Sequence, residues 1–140
     1  MTVPAPDDDT RRILLADDDF GSRELLARLL RRFTRAELHE VREGAAALAS
    51  FQLLRPQITL LDIDMPEPDG MAVLEQIRRA DGEAFVVMVS GYSKLDLVRR
   101  AVELGVGGFV VKPYSAQRVV EVLRNYVTKT GDTGLLKEEA

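Results

Sequence analysis

Phe85-Val86-Val87-Met88-Val89 is an unbroken apolar run in which three of the five residues are β-branched. An Asp81-Gly82 turn precedes it and Ser90-Gly91 follows it. A short run of this kind, bounded by turn residues, reads as a strand buried on both faces. Helical spacing flanks it on either side. Upstream, Met71, Val73, Leu74 and Ile77 fall on one face of a helix predicted over 69–79. Downstream, Leu97, Val98, Ala101 and Val102 define another over 93–104, with Gly105 as its C-cap. A doubly buried strand between two helices indicates a parallel sheet covered on both faces.

The same rhythm extends outward. Ile58–Ile63, Ile13–Ala16 and Phe109–Val111 are further short apolar runs, and 36–41 alternates weakly, as an edge strand does. Helical patterns fill the gaps at 20–33, at 43–54 and from Ser115 to about Tyr126. The second of these stops at Arg55-Pro56, because proline lacks the N–H that would continue the ladder. Ser115 is a suitable N-cap for the last. Five strand–helix units in succession give an α/β, doubly wound fold built by right-handed crossovers.

Length and composition set the limits. The chain has 140 residues, room for one domain with a real core. Apolar residues are 46% and charged residues 30%, which is a globular balance. There is no cysteine, so disulfides and thiolate chemistry are excluded. A net charge of -4 and the absence of Trp speak against direct nucleic-acid binding. No apolar run approaches the roughly 18 residues a membrane span needs. The acidic, Pro-containing start is no secretory signal, so the expected setting is the cytoplasm, away from any membrane. Residues 1–10 read as a flexible arm, 11–127 as the domain, and 128–140 as a tail or linker.

Ligands of open α/β sheets sit beyond the carboxyl ends of the strands. Those ends are unusually polar here. The first strand runs into Asp17-Asp18-Asp19, the third into Asp62-Ile63-Asp64, the fourth into Ser90-Gly91 and the fifth into Lys112-Pro113. If the first and third strands are neighbours, their carboxylates lie about 5 Å apart. Such acids raise one another's pKa unless cations are near. Lys112 supplies one positive charge, and a hard divalent ion with oxygen ligands is the expected second. Asp7–Asp9 reads as a solvated charge run, Asp19 and Asp69 as helix-start residues, and His39 as surface or structural.

Taken together, Ile13-Leu-Leu-Ala-Asp-Asp-Asp19, Leu60-Leu-Asp-Ile-Asp-Met-Pro-Glu-Pro-Asp-Gly70, Met88-Val-Ser-Gly91 and Phe109-Val-Val-Lys-Pro113 resemble the receiver domain of bacterial two-component response regulators. The likeness spans about 12–127 and is nearest to chemotaxis-type, single-domain receivers. It implies a flavodoxin-like (βα)5 fold with strand order 2-1-3-4-5. It also implies that Asp62 is the phosphoacceptor, with Lys112 bonding a phosphoryl oxygen and Ser90 turning its hydroxyl towards it. Mg2+, or alternatively Mn2+, would be bound by Asp18 and Asp62, by Asp17 chiefly through water, and by the backbone carbonyl of Asp64. Phe109 would stand at the aromatic switch position, where it reads equally as a core aromatic, and Pro113 is commonly cis in the family. The implied donor is a sensor histidine kinase or histidine phosphotransfer protein. The implied output is a downstream protein docked on helix four, strand five and helix five, from a monomer or weak dimer. Such a chain is a stoichiometric phosphoacceptor that assists its own phosphorylation and dephosphorylation, not an enzyme with turnover.

Other readings exist. The chain could be the front of a longer regulator whose output domain is missing. Asp62-Ile63-Asp64 also resembles the Asp-x-Asp motif of haloacid-dehalogenase-type phosphatases, but that family places this motif on its first strand. An inert, interaction-only receiver is argued against by the intact acids, Ser90 and Lys112. Two positions bear on phosphoryl lifetime: Asp64, whose charge attracts metal and repels phosphate, and Tyr92, whose ring restricts attacking water. Gly107-Gly108 lacks the acidic pair typical of DNA-binding regulators that dimerise on this face.

Overall fold

The structure is a computed structural model that describes residues 10–91 and 94–137. Strands and helices alternate as β1 (Arg12–Ala16), α1 (Phe20–Phe33), β2 (Glu37–Val41), α2 (Gly44–Leu54), β3 (Ile58–Asp62), α3 (Gly70–Ala80), β4 (Phe85–Ser90), α4 (Leu95–Glu103), β5 (Gly108–Val111) and α5 (Ala116–Thr130). The five strands form one parallel sheet in the order β2-β1-β3-β4-β5. The expected fold class and strand order are both present.

Local chemistry explains the boundaries. Asp19, Asp69 and Ser115 each cap a helix by accepting a backbone N–H three residues on, from Ser22, Ala72 and Arg118 at 2.8, 2.9 and 3.1 Å. Arg55 ends α2 in the left-handed conformation, with φ 48°, immediately before Pro56. Gly105, at φ 72°, closes α4 in the same region, where a side chain would be strained.

Strands β1, β3 and β4 are buried almost throughout, and alternate residues feed two cores. Ile13, Leu15, Leu60 and Val87 pack under α1 and α5 with Leu26, Leu30 and Leu123. Leu14, Leu61, Val86 and Met88 pack under α2 and α3 with Phe51, Val73, Leu74 and Ile77. The register aligns Ala16 with Leu61, Asp62 with Val89, and Ser90 with Val111, so four strands end level at one rim.

At the opposite rim, Arg78 near the end of α3 donates to the carbonyls of Leu104 (2.7 Å), Gly105 (3.1 Å), Gly82 (2.9 Å) and Ala84 (3.0 Å). One guanidinium thereby ties the carboxyl end of α4 to the loop before β4. None of the described helices is long and apolar enough to cross a membrane.

The C-terminal region departs from expectation. Helix α5 continues to Thr130, past the domain boundary expected at 127, and the chain then folds back on the domain. Leu135 is 0% exposed and joins the core beside Leu26 and Tyr126. Leu136 forms an antiparallel bridge with Thr34, and the N–H groups of Arg35 and Lys137 donate to Leu135 and Phe33 carbonyls, both at 2.9 Å. The Asp132 carboxylate receives Arg11 Nε and Nη2 at 2.9–3.1 Å and the Tyr126 hydroxyl at 2.7 Å. Sequence periodicity is blind to this clasp because its partners lie about a hundred residues away. Residues 1–9 of the arm expected over 1–10, Tyr92, the helix start expected at Ser93 and the last three residues lie outside the described residues.

Candidate functional site

The rim is assembled strand by strand. The Asp17 N–H donates to the Val41 carbonyl at 3.1 Å, extending the sheet by one residue and fixing Asp17 in line with β1. Its side chain is 1% exposed, and its Oδ1 accepts the Asp19 N–H at 2.9 Å. Asp62 closes β3 and is 2% exposed. Asp62 Oδ1 accepts the Asp64 N–H at 3.1 Å. Lys112, just after β5, is held by its own N–H on the Ser90 carbonyl at 2.7 Å. Its Nζ then reaches Asp17 Oδ2 at 3.1 Å and Asp62 Oδ2 at 3.3 Å.

Asp17, Asp18 and Asp62 each offer a carboxylate oxygen, and the three oxygens lie within 4.8 Å of one another. Asp18 is exposed, while the other two are buried. Burial pushes the Asp62 carboxyl above its usual range, and the neighbouring Asp17 carboxyl pushes it further. Burial alone would lower the Lys112 ammonium, but the contacts with Asp17 and Asp62 outweigh it and the net shift is upward. One ammonium thus pairs with two buried carboxylates beside a third that is exposed, leaving an excess of negative charge at the rim.

A hard cation fits that excess. Asp17 Oδ2 is buried and accepts no hydrogen bond, meeting Lys112 only as an ion pair. A buried carboxylate oxygen with unused lone pairs, beside two further carboxylates, is the donor set of an oxygen-seeking divalent ion. Imidazole and thiolate are absent from this group, which disfavours softer metals.

The other expected residues take these places. Ser90 is fully buried at the end of β4, one residue past the register partner of Asp62. Asp64 is exposed beside Asp62, with its main chain held on the Asp62 carboxylate. Phe109 is half-buried in β5 against the α2–α3 core, and its carbonyl accepts Arg118 Nη2 at 2.8 Å. The Lys112-Pro113 peptide is cis. His39 lies on edge strand β2, with Nε2 at 3.7 Å from Glu37, remote from the acids in sequence and register.

Three contributors were not visible in the sequence. Arg23, in the first turns of α1, donates Nη1 to the Asp17 carbonyl at 2.8 Å and pairs with Glu40 at 3.3 Å. Tyr114 donates its hydroxyl to the Ser22 carbonyl at 2.7 Å. Gly70 leaves no room for a Cβ against the Asp62 carbonyl. Arg23 and Tyr114 look like ordinary helix and loop residues until the fold closes.

Comparison with known proteins agrees with this geometry. The model of the response regulator receiver domain family matches residues 13–124. Chemotaxis protein CheY of Bacillus subtilis is 32% identical over 112 residues, covering 80% of this chain and 93% of its own length. Transcriptional regulatory protein PdtaR of Mycobacterium tuberculosis is 30% identical over 142 aligned positions, covering 99% of this chain and 69% of its own. The signal receiver domain of the putative response regulator NarL from the same organism superposes with a TM-score of 0.74 at 26% identity, covering 85% of this chain and 97% of that one. With its rim of acids, its 2-1-3-4-5 sheet and a family match over most of its length, the chain belongs to the response regulator receiver domains of two-component signalling systems.

Proposed function

We propose that Asp62 accepts a phosphoryl group from the phosphohistidine of a sensor histidine kinase or histidine phosphotransfer protein. The observation that carries this reading is the cluster itself: three carboxylate oxygens within 4.8 Å, with the Lys112 ammonium at 3.1 and 3.3 Å from two of the acids. Asp17, Asp18 and Asp62 would hold Mg2+, or Mn2+, with the Asp64 carbonyl as a further ligand. When bound, the ion neutralises carboxylate and phosphoryl charge.

A carboxylate oxygen of Asp62 attacks phosphorus. The O–P bond forms as the P–N bond of the donor breaks, and the departing electron pair stays on the imidazole, which takes a proton from solvent. Positioning and charge neutralisation dominate this transfer. Lys112 exchanges a carboxylate for a phosphoryl oxygen, and the Ser90 hydroxyl donates to another. Water later cleaves the acyl phosphate, so the protein is consumed and regenerated once per signal and is no turnover enzyme.

The output follows from the surface. Leu95 and Val102 on α4 are 63% and 65% exposed, and Val111 at the end of β5 is exposed as well. These exposed apolar side chains support docking of a downstream protein on α4, β5 and α5, with Phe109 shifting by packing alone. We place the protein in the cytoplasm as a monomer or weak dimer, free of nucleic acid and membrane, with residues 11–127 as its signalling core. The alignment with PdtaR, of which this chain covers 69%, favours a second reading as the receiver portion of a longer regulator.

Intact-mass measurement with a small acyl phosphate and Mg2+ tests the proposal. One base-labile phosphoryl adduct per chain is expected, lost in Asp62→Asn and with chelator. An adduct that persists in the variant, or none on the wild type, overturns it.

A further inference from the structure

Two ties join the loop after β5 to the beginning of α1. One is ionic, from Lys112 Nζ to Asp17 Oδ2 at 3.1 Å. The other is neutral, from the Tyr114 hydroxyl to the Ser22 carbonyl at 2.7 Å. Tyr114 is buried, and its ring belongs to the core that holds Leu26 and Leu30. A phenylalanine would fill that core as well, so packing gives no reason for the hydroxyl.

The turn it grips is the one that carries the acids. The Ser22 N–H is capped by Asp19 at 2.8 Å, and the Asp19 N–H binds Asp17 Oδ1 at 2.9 Å. Arg23, the next residue, holds the Asp17 carbonyl at 2.8 Å. If Lys112 turns to a phosphoryl oxygen, or a cation takes up the charge of Asp17, the ionic tie weakens. The hydroxyl–carbonyl bond depends on neither charge. We infer that Tyr114 is a positioning residue: its hydroxyl keeps the Lys112 loop in register with the acids of the β1–α1 turn while Lys112 changes partners. This inference rests on the phosphoacceptor reading.

Tyr126 provides the control. It too is buried and donates its hydroxyl at 2.7 Å, but to Asp132 in the clasp at the other end of the sheet. Tyr114→Phe and Tyr126→Phe should each lower stability comparably in the full chain. In metal-free protein, amide exchange over residues 17–23 is expected to quicken about fivefold in Tyr114→Phe, the worth of one hydrogen bond, and not at all in Tyr126→Phe. With saturating Mg2+ and an acyl phosphate, Tyr114→Phe should be phosphorylated about fivefold more slowly, and Tyr126→Phe at the wild-type rate. Wild-type exchange and rate in Tyr114→Phe overturn the inference, as does an equal slowing in both variants. If the wild type takes no phosphoryl group, the phosphoacceptor reading falls, and the exchange comparison still decides whether Tyr114 holds the acid-bearing turn.

Discussion

Asp62 is held at a cost. Its native pKa is raised above 3.8 by burial and then by Asp17, so the folded chain binds more protons than the unfolded one between those values. Stability from this group therefore falls as pH rises from about 3.8 through the native value, and the cost is complete only above that value. Lys112 works in the opposite sense. Its raised pKa gives a contribution present below 10.5 and lost as pH climbs through the native value. Asp62→Asn should accordingly raise the neutral-pH unfolding midpoint of metal-free protein by a few degrees, on the order of 1 kcal/mol. Mg2+ should stabilise the wild type more than the variant, and thermal unfolding with and without chelator measures both. Asp64→Asn removes an exposed charge beside the cluster, and a titration at low salt should show Mg2+ affinity weakened a few-fold, about 1 kcal/mol at most. Asp17, Asp62 and Lys112 were legible in the sequence because each directly follows or ends an apolar strand. Arg23 and Tyr114 were not, because their partners are main-chain carbonyls, which no side-chain motif reveals.

Among the elements, the clasp after α5 changes what the domain needs in order to fold. The family match ends at residue 124, yet Leu135 is as buried as any strand residue. Leu135→Ala should cost about 2–5 kcal/mol in denaturant unfolding, as a core leucine does. A loss near zero would mean that the clasp is dispensable. Asp132 has its pKa lowered first by Arg11 and, more weakly, by Tyr126, against an opposing effect of burial. It therefore contributes stability that is present above 3.8 and lost as pH falls through the native value. Asp132→Asn should flatten the acid limb of the stability curve by about 1 kcal/mol, and matching acid unfolding of variant and wild type would count against the ion pair. The ten main elements were legible in the sequence, apart from the start of α4, because each has its own periodicity or cap. The clasp has neither.

Across the whole molecule, one sheet divides two cores, and its three central strands belong to both. A cavity in either layer should therefore weaken a single cooperative transition and not split it. Leu30→Ala under α1 and Leu74→Ala under α3 should each cost about 2–5 kcal/mol with an unchanged denaturant slope. Two separated transitions would mean that the layers unfold independently. Strand order could come only from the family likeness, since apolar runs state that strands pair but not with which neighbour. The guanidinium of Arg78 has a mechanical corollary. It clamps the carboxyl end of α4, where Ala101 is buried and Arg100 pairs with Glu75 of α3 at 2.9 Å. Any displacement of α4 at that end is therefore passed on, through a single side chain, to the loop that feeds β4.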